Sequence, residues 1–278
     1  MKKIMVMVAL AAGMASCNKE NNVETTAKGG KKENTVPVEY VSIGEVHNTG
    51  LAFMYDKFRE LSDANGGIPK EKVLQFAEDY SRQYMQSLGD GDGFSDGIID
   101  IVNEVYGLNN YLSSKEGEYA NYLDYCIHNG LLNLNDVEAS YMNKIVGALD
   151  KAGSASEVGK SLMEIEKDIQ SAGLESKSVE LLLASSVVCR YSAEYWENNL
   201  SDWALLGSSE KELPKWAKDI IKSDLAGGAV GGVVGAIAGG TVSLGTLTIP
   251  GWVSGAASGA LTASGRTGIR KLLDYLWN

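Results

Sequence analysis

"LAGGAVGGVVGAIAGG", Leu225 to Gly240, puts a glycine at every fourth position: Gly227, Gly231, Gly235 and Gly239. Gly228, Gly232 and Gly240 form a second row beside the first. Residues four apart share one face of a helix. Glycine in a helix costs up to about 1 kcal/mol relative to alanine, so a face built of it needs a compensating contact. That contact is the close approach of another helix backbone. Beyond Pro250 the spacing resumes at Gly251, Gly255 and Gly259, with Ser254, Ser258 and Thr262 alongside. The pattern predicts a helical hairpin with its two small-residue faces in contact and a loop near Thr241 to Pro250.

The hairpin sits in a block of 41 residues, Leu225 to Gly265, without one charged side chain. Asp219, Lys222, Asp224, Arg266 and Arg270 bracket it, and all five tryptophans lie at or beyond Trp196. The outer surface carries Val230, Val233, Val234, Ile237 and Ala238, which is apolar but only mildly so. The two uncharged arms, about 17 and 15 residues, fall short of the roughly 20 that a membrane span needs. The terminal stretch GIRKLLDYLWN is amphipathic, with Ile269, Leu272, Leu273 and Leu276 on one side. The tail resembles membrane-active glycine-zipper peptides, including some bacteriocins, over about fifty residues. That resemblance implies close helix packing and leaves two destinations open: insertion in a bilayer, or docking on the rest of the protein. An exposed apolar patch of this size is a liability, which favours docking.

Upstream, the chain reads as helix after helix. Leu51, Met54, Phe58 and Leu61 share one face between Glu45 and Asp63. Val73, Phe76, Ala77, Tyr80, Tyr84 and Leu88 repeat at the helical period, as do Ile98, Val102, Val105 and Leu108. Ser113/Glu116, Ser154/Glu157 and Ser209/Glu212 have the spacing of reciprocal caps and predict three helix starts. Stripes follow at Tyr119, Tyr122, Cys126, then Tyr141, Ile145, Leu149, then Val158, Leu162, Ile165, Ile169. Val179, Leu182, Leu183, Val187 and Trp196 line another helix, and Gly130 and Gly173 read as helix stops. Val36 to Ile43, with Pro37 inside it, reads as extended or loop-like. No alternating run is long enough for a sheet. The expected fold is all-α: a bundle of about seven amphipathic helices plus the C-terminal glycine-zipper hairpin.

Several motifs come close to chemistry. Asp90 to Asp100, DGDGFSDGIID, resembles a calcium loop, with Asp90, Asp92 and Asp96 as candidate ligands. Phe94 stands where the fifth position needs an oxygen, so a glycine-rich turn with Ser95 or Asp96 capping the next helix explains the residues better. Gly153 to Ser161 resembles a phosphate loop with one residue too many, and Glu157 would sit among the phosphates. Glu45, His47 and Asn48 make an acid–base trio on paper, but they read as a polar helix start. His47 and His128 are the only histidines, and neither has a metal-type partner at helical spacing. Cys126 and Cys189 are the two thiols of the body; they either pair or stay buried and free. No catalytic constellation emerges, so no enzymatic activity, cofactor or metal is expected.

The N-terminus gives an address. Lys2 and Lys3 precede an apolar core from Ile4 to Ala12, which is too short to span a bilayer, and small residues lead to Cys17. Met14-Ala15-Ser16-Cys17 resembles the lipobox of bacterial lipoproteins. The resemblance implies a signal over 1–16, removal before Cys17, and acyl chains on that cysteine. Residues 18–36, NKENNVETTAKGGKKENTV, lack apolar periodicity and read as a disordered tether of about 24 Å. NKENNVE is similar to the export leader of Bacteroidota surface lipoproteins, which implies the outer membrane and the cell surface. Loss of Lys2 and Lys3 with the signal takes the net charge from −11 to −13, which excludes a nucleic-acid partner.

The domains expected are the signal (1–16), the lipidated tether (17–36), a helical body (37–223) and the hairpin with its terminal helix (224–278). The partners expected are the membrane, through the anchor or through the hairpin, and a protein partner or a second copy. The role expected is binding or structural, with a membrane-active effector as the alternative.

Overall fold

A computed structural model describes residues 36–65, 72–89, 93–115, 118–203, 215–238, 241–244 and 247–277. Residues 17–35 of the expected tether, Cys17 included, lie outside the described residues, as do Asp90, Asp92, Gly239 and the Ser209/Glu212 pair, whereas Val36, expected to close the disordered tether, is buried against the helices. Ten α-helices run through the described residues: α1 (Val38–Asn65), α2 (Val73–Ser87), α3 (Phe94–Glu104), α4 (Leu108–Ser113), α5 (Tyr122–His128), α6 (Asp136–Lys151), α7 (Ala155–Ser171), α8 (Ser176–Trp203), α9 (Lys215–Ala238) and α10 (Gly251–Trp277). Two short antiparallel strands, β1 (Thr241–Leu244) and β2 (Leu247–Pro250), join α9 to α10, with Thr241 opposite Pro250 and Leu244 opposite Leu247. The fold is the expected all-α bundle, and the loop predicted at the hairpin tip is this small β-ribbon.

The hairpin α9–α10 lies at the centre. α10 packs on α9, α1, α2, α3 and α8, while α9 packs on α8, α5, α3 and α6. α7 forms an outer layer on α6 and α8. Every residue from Val253 to Ile269 is buried, as is every residue from Ser223 to Gly231. A helix uncharged on all sides belongs in a core, and the sheath of amphipathic helices provides one. The boundary expected between 223 and 224 falls inside α9, and each of the two buried clusters draws on both body and hairpin.

The helix boundaries show which local signals prevailed. α1 begins at Val38, so the stretch expected to be extended is helical from there on. Pro37 ends up just ahead of the first turn, where a missing N–H costs nothing, and its carbonyl accepts from the Tyr40 N–H at 3.1 Å. The buried stripe of α1 then starts well before Leu51: Tyr40, Ile43, His47, Leu51, Met54 and Phe58 all face inward. Ser154 caps α7 as expected, accepting from the Glu157 N–H at 3.3 Å. Ser113 does not start a helix. It ends α4, and the following helix α5 is capped by Asn121, which accepts from the Asp124 N–H at 3.0 Å. Tyr119 therefore precedes α5 rather than sharing its face. The stripe Ile98–Leu108 is broken in two, because Gly107 at φ 68° turns the chain between α3 and α4 and leaves Val105 exposed. Gly130 and Gly173 take up φ 64° and 68° after α5 and α7, as helix stops do.

Candidate functional site

The zipper face is a backbone-to-backbone seam. A Cβ added at Gly227 would collide with the carbonyl oxygen of Gly259 and come within 2.6 Å of the Ala263 Cβ. At Gly231 it would collide with the Gly255 carbonyl and lie 3.0 Å from the Gly259 Cα; at Gly235 it would meet the Gly251 carbonyl and stand 3.0 Å from the Trp252 Cα. The relation is reciprocal, with Gly255 against Gly231 and Gly259 against Gly227. The structure thus brings Gly227, Gly231, Gly235, Gly251, Gly255 and Gly259 into one interface. The second row lies off the seam: at Gly228 a Cβ would stand 3.0 Å from the Val188 Cγ2 of α8, and at Gly232 it would meet only the Ala256 Cβ at 3.5 Å and the Trp252 carbonyl at 3.8 Å.

Where the seam ends, charge begins, and the two residues that bound the uncharged block are both inside the protein. Asp224 on α9 is fully buried. Its Oδ2 lies 3.6 Å from His47 Nε2 of α1 and accepts a very short hydrogen bond from the Ser192 hydroxyl of α8. Ser264 of α10 and Trp196 of α8 also act on the Asp224 carboxyl. His47 Nδ1 donates to Asn48 Oδ1 at 2.9 Å, and Asn48 is held in that orientation by donating through Nδ2 to the Tyr191 carbonyl at 3.0 Å. This chain fixes the tautomer: Nε2 is left as an acceptor facing the carboxyl. Burial drives the His47 imidazole down to about 4 and the Asp224 carboxyl up to about 8. A neutral imidazole beside a protonated carboxyl fits both geometry and solvation. His47 Nε2 faces the Asp224 carboxyl, and Ser192, Ser264 and Trp196 gather around that carboxyl, so the cluster is a polar island set in apolar surroundings.

Arg266 makes the matching attachment on α10. Its Nη1 donates to Asn103 Oδ1 at 2.6 Å and to Asn109 Oδ1 at 2.8 Å, and lies 3.0 Å from Glu78 Oε2. Glu78 is shared with Arg82, which also reaches Asp100 at 2.6 Å. Farther along, Arg270 donates to the carbonyls of Tyr111 and Ser114. The hairpin is therefore fastened at its base to α1 and α8 on one side and to α2, α3 and α4 on the other.

Serine, histidine and aspartate in one cluster suggest nucleophilic catalysis by composition, but the order is wrong. The carboxyl lies between the hydroxyl and the imidazole, and the hydroxyl is not the imidazole's partner. All three side chains are sealed from solvent. Of the trio expected at a polar helix start, His47 is buried in mid-helix while Glu45 faces water. Asp96 is already engaged: its Oδ2 accepts from Gln86 at 2.9 Å and its Oδ1 lies 3.5 Å from Arg82. Neither Ser95 nor Asp96 caps α3; Gly93 at φ 67° occupies that position. Among the described residues no group of three or more histidine, cysteine, aspartate or glutamate side chains could hold a metal. Cys126 and Cys189 are free and buried, and burial pushes the Cys126 thiol up to about 12. The polar island went unread in the sequence because its members come from four helices. The available signal was Asp224 itself, a carboxylate directly abutting the uncharged glycine face.

Among the described residues no helix is long and apolar enough to cross a membrane. Comparison with known proteins adds no relative: no family model, no curated protein and no solved structure matches the chain.

Proposed function

We propose that the protein is an exported lipoprotein, held at the outer membrane by acyl chains on Cys17, whose helical body has a binding or structural role. The signal and lipobox residues at 1–17 support the anchor. The observation that carries the role is the placing of the glycine hairpin in the interior: residues 223–231 and 253–269 are buried, and the two ionisable residues that bound the uncharged block, Asp224 and Arg266, are held within the body. A hairpin used in this way is a pillar around which the other helices are arranged. Metabolic labelling with an alkyne fatty acid, in a bacterial host that exports the full chain, tests the anchor. Label is expected on the wild type and none on Cys17→Ser. An unlabelled wild type, or a labelled Cys17→Ser, overturns it.

A second reading, a membrane-active effector, is favoured by one feature: an uncharged helical hairpin wrapped in amphipathic helices is the form in which a bilayer-seeking segment would travel through water. Ser95 of α3 and Ser254 of α10 face each other with their hydroxyl oxygens 3.4 Å apart. The double variant Ser95→Cys/Ser254→Cys would tie sheath to hairpin. Dye release from liposomes that is silent when the pair is oxidised and returns on reduction supports this reading, and absence of leakage from the reduced protein removes it.

A further inference from the structure

A groove of about 240 Å³ opens between α8 and α9 near the tip of the hairpin. The two helices touch where Gly228 meets Val188, with a Cβ on Gly228 reaching 3.0 Å from the Val188 Cγ2, and separate from there towards Ala236. The floor consists of Ala184, Gly228 and Ala229, all buried; Gly232 and Val233 are half-buried, and Ala236 is exposed at the mouth. From Gly228 to Ala236 the rise of the helix gives the groove a length of about 12 Å. Between its charged rim residues the lining is apolar, and among the described residues it carries no hydroxyl or amide side chain. That is the form of a slot for one alkyl chain.

The rim supplies the polar end. Lys177 and Glu180 stand on one side, and Trp252 on the other. The Trp252 ring packs against Tyr40 with centroids 4.8 Å apart. Glu180 is close enough that its charge, after burial, helps hold the Tyr40 phenol above its usual range. An aromatic ring beside a carboxylate recognises an alkylated ammonium, and a lysine recognises a phosphate. The cation and the anion at this rim are therefore complementary to a zwitterionic headgroup.

We propose that this groove binds a single-chain zwitterionic amphiphile, taken up one molecule at a time, with the alkyl chain between α8 and α9, the phosphate at Lys177 and the ammonium at Glu180 and Trp252. The proposal rests on the binding role given above but not on the acyl anchor. An absent acyl label leaves it standing, and a failed titration leaves the anchor standing.

Calorimetric titration of the full chain with dodecylphosphocholine, kept below its micelle concentration, tests it. Saturable binding of one molecule per protein is expected. Phosphocholine, which has no tail, should give none, and dodecyl maltoside, which has an uncharged head, should bind at least roughly tenfold more weakly, the effect of losing charge-assisted contacts. Gly232→Leu should abolish binding, because its Cβ has ordinary room beside Ala256 and the remainder fills the slot. Ala236→Phe, at the exposed mouth, gives a second obstruction that leaves the core alone. Lys177→Glu should weaken binding roughly tenfold. The proposal is overturned by no saturable binding below the micelle concentration, by equal binding of dodecyl maltoside, by unchanged affinity in Ala236→Phe, or by attachment to phosphatidylcholine vesicles alone.

Discussion

A single methyl group separates the two glycine rows of α9. At Gly231 a Cβ has nowhere to go: it would strike the Gly255 carbonyl and crowd the Gly259 Cα, which are backbone atoms that cannot rotate aside. Gly231→Ala gains up to about 1 kcal/mol of helix propensity, and the forced separation of α9 from α10 costs more, about 1–3 kcal/mol in a packed core. A net loss is expected, seen as a lower denaturation midpoint. Gly147, on α6, has no neighbouring atom within 4 Å of an added Cβ. Gly147→Ala is therefore expected to raise the midpoint, with a gain in stability of up to about 1 kcal/mol. Should both alanines shift stability in the same direction, the seam is not the constraint.

The His47–Asp224 pair makes a pH prediction of definite sign. Burial lowers His47 from 6.5 to about 4, so its contribution is complete above 6.5 and is lost as pH falls towards 4. Burial raises Asp224 from 3.8 to about 8, so its contribution is complete below 3.8 and is lost as pH rises towards 8. Between 6.5 and 4 the two slopes oppose and cancel, because folded and unfolded chains each hold one proton on the pair. Above 6.5 only Asp224 changes, and the pair loses about 2 kcal/mol by pH 8. Denaturation followed from pH 6.5 to 8 should show this loss, and Asp224→Asn should flatten it. A downward slope of equal size from 6.5 to 4 that His47→Gln removes would contradict the assignment.

At the scale of the helix, apolar stripes and glycine stops were legible, and most helix starts were not. The buried stripes of α2 and α7 follow the helical period, and Gly130 and Gly173 mark the stops. Starts are set by a side chain reaching a particular amide, and several residue types can do that. Serine spacing found the cap at Ser154 but also suggested one at Ser113, while a full reciprocal cap, Asn135 with Glu138 on α6, carries asparagine. Asn135 accepts from the Val137 and Glu138 amides, and Glu138 accepts from the Asn135 amide. Asn135→Ala should therefore cost about 1 kcal/mol in a thermal melt. Ser113→Ala, at a helix end, should stay within about 0.5 kcal/mol of wild type. The polar island was beyond such reading altogether, since no periodicity within α1, α8, α9 or α10 records which foreign side chain faces His47.

For the molecule as a whole, the decisive relation is between the hairpin and the rest. Spacing and lack of charge foretold two rods lying backbone against backbone; they did not foretell that the rods would be the centre. That depends on the apolar faces of α1, α2, α3 and α8, all of which settle on α10. Leu51 and Met54 of α1, Met85 of α2 and Ile98 of α3 belong to one buried cluster with Leu225, Val230, Leu261 and Ala263 of the hairpin. A chain ending at Ser223 would leave those faces bare and cut α9 in its middle. It would also remove both Asp224 and Arg266, taking one partner each from His47, Glu78 and Asn103. Exposing that surface forfeits roughly 25 cal/mol for each Å² of apolar area, against a total stability of only about 5–15 kcal/mol for an ordinary domain. The truncated body is therefore expected to be molten or aggregated, with helical far-ultraviolet dichroism but no sharp near-ultraviolet signal and rapid proteolysis. A cooperative melt from that fragment, with dispersed aromatic resonances, would mean that residues 37–223 form a domain of their own and that the hairpin is an appendage after all.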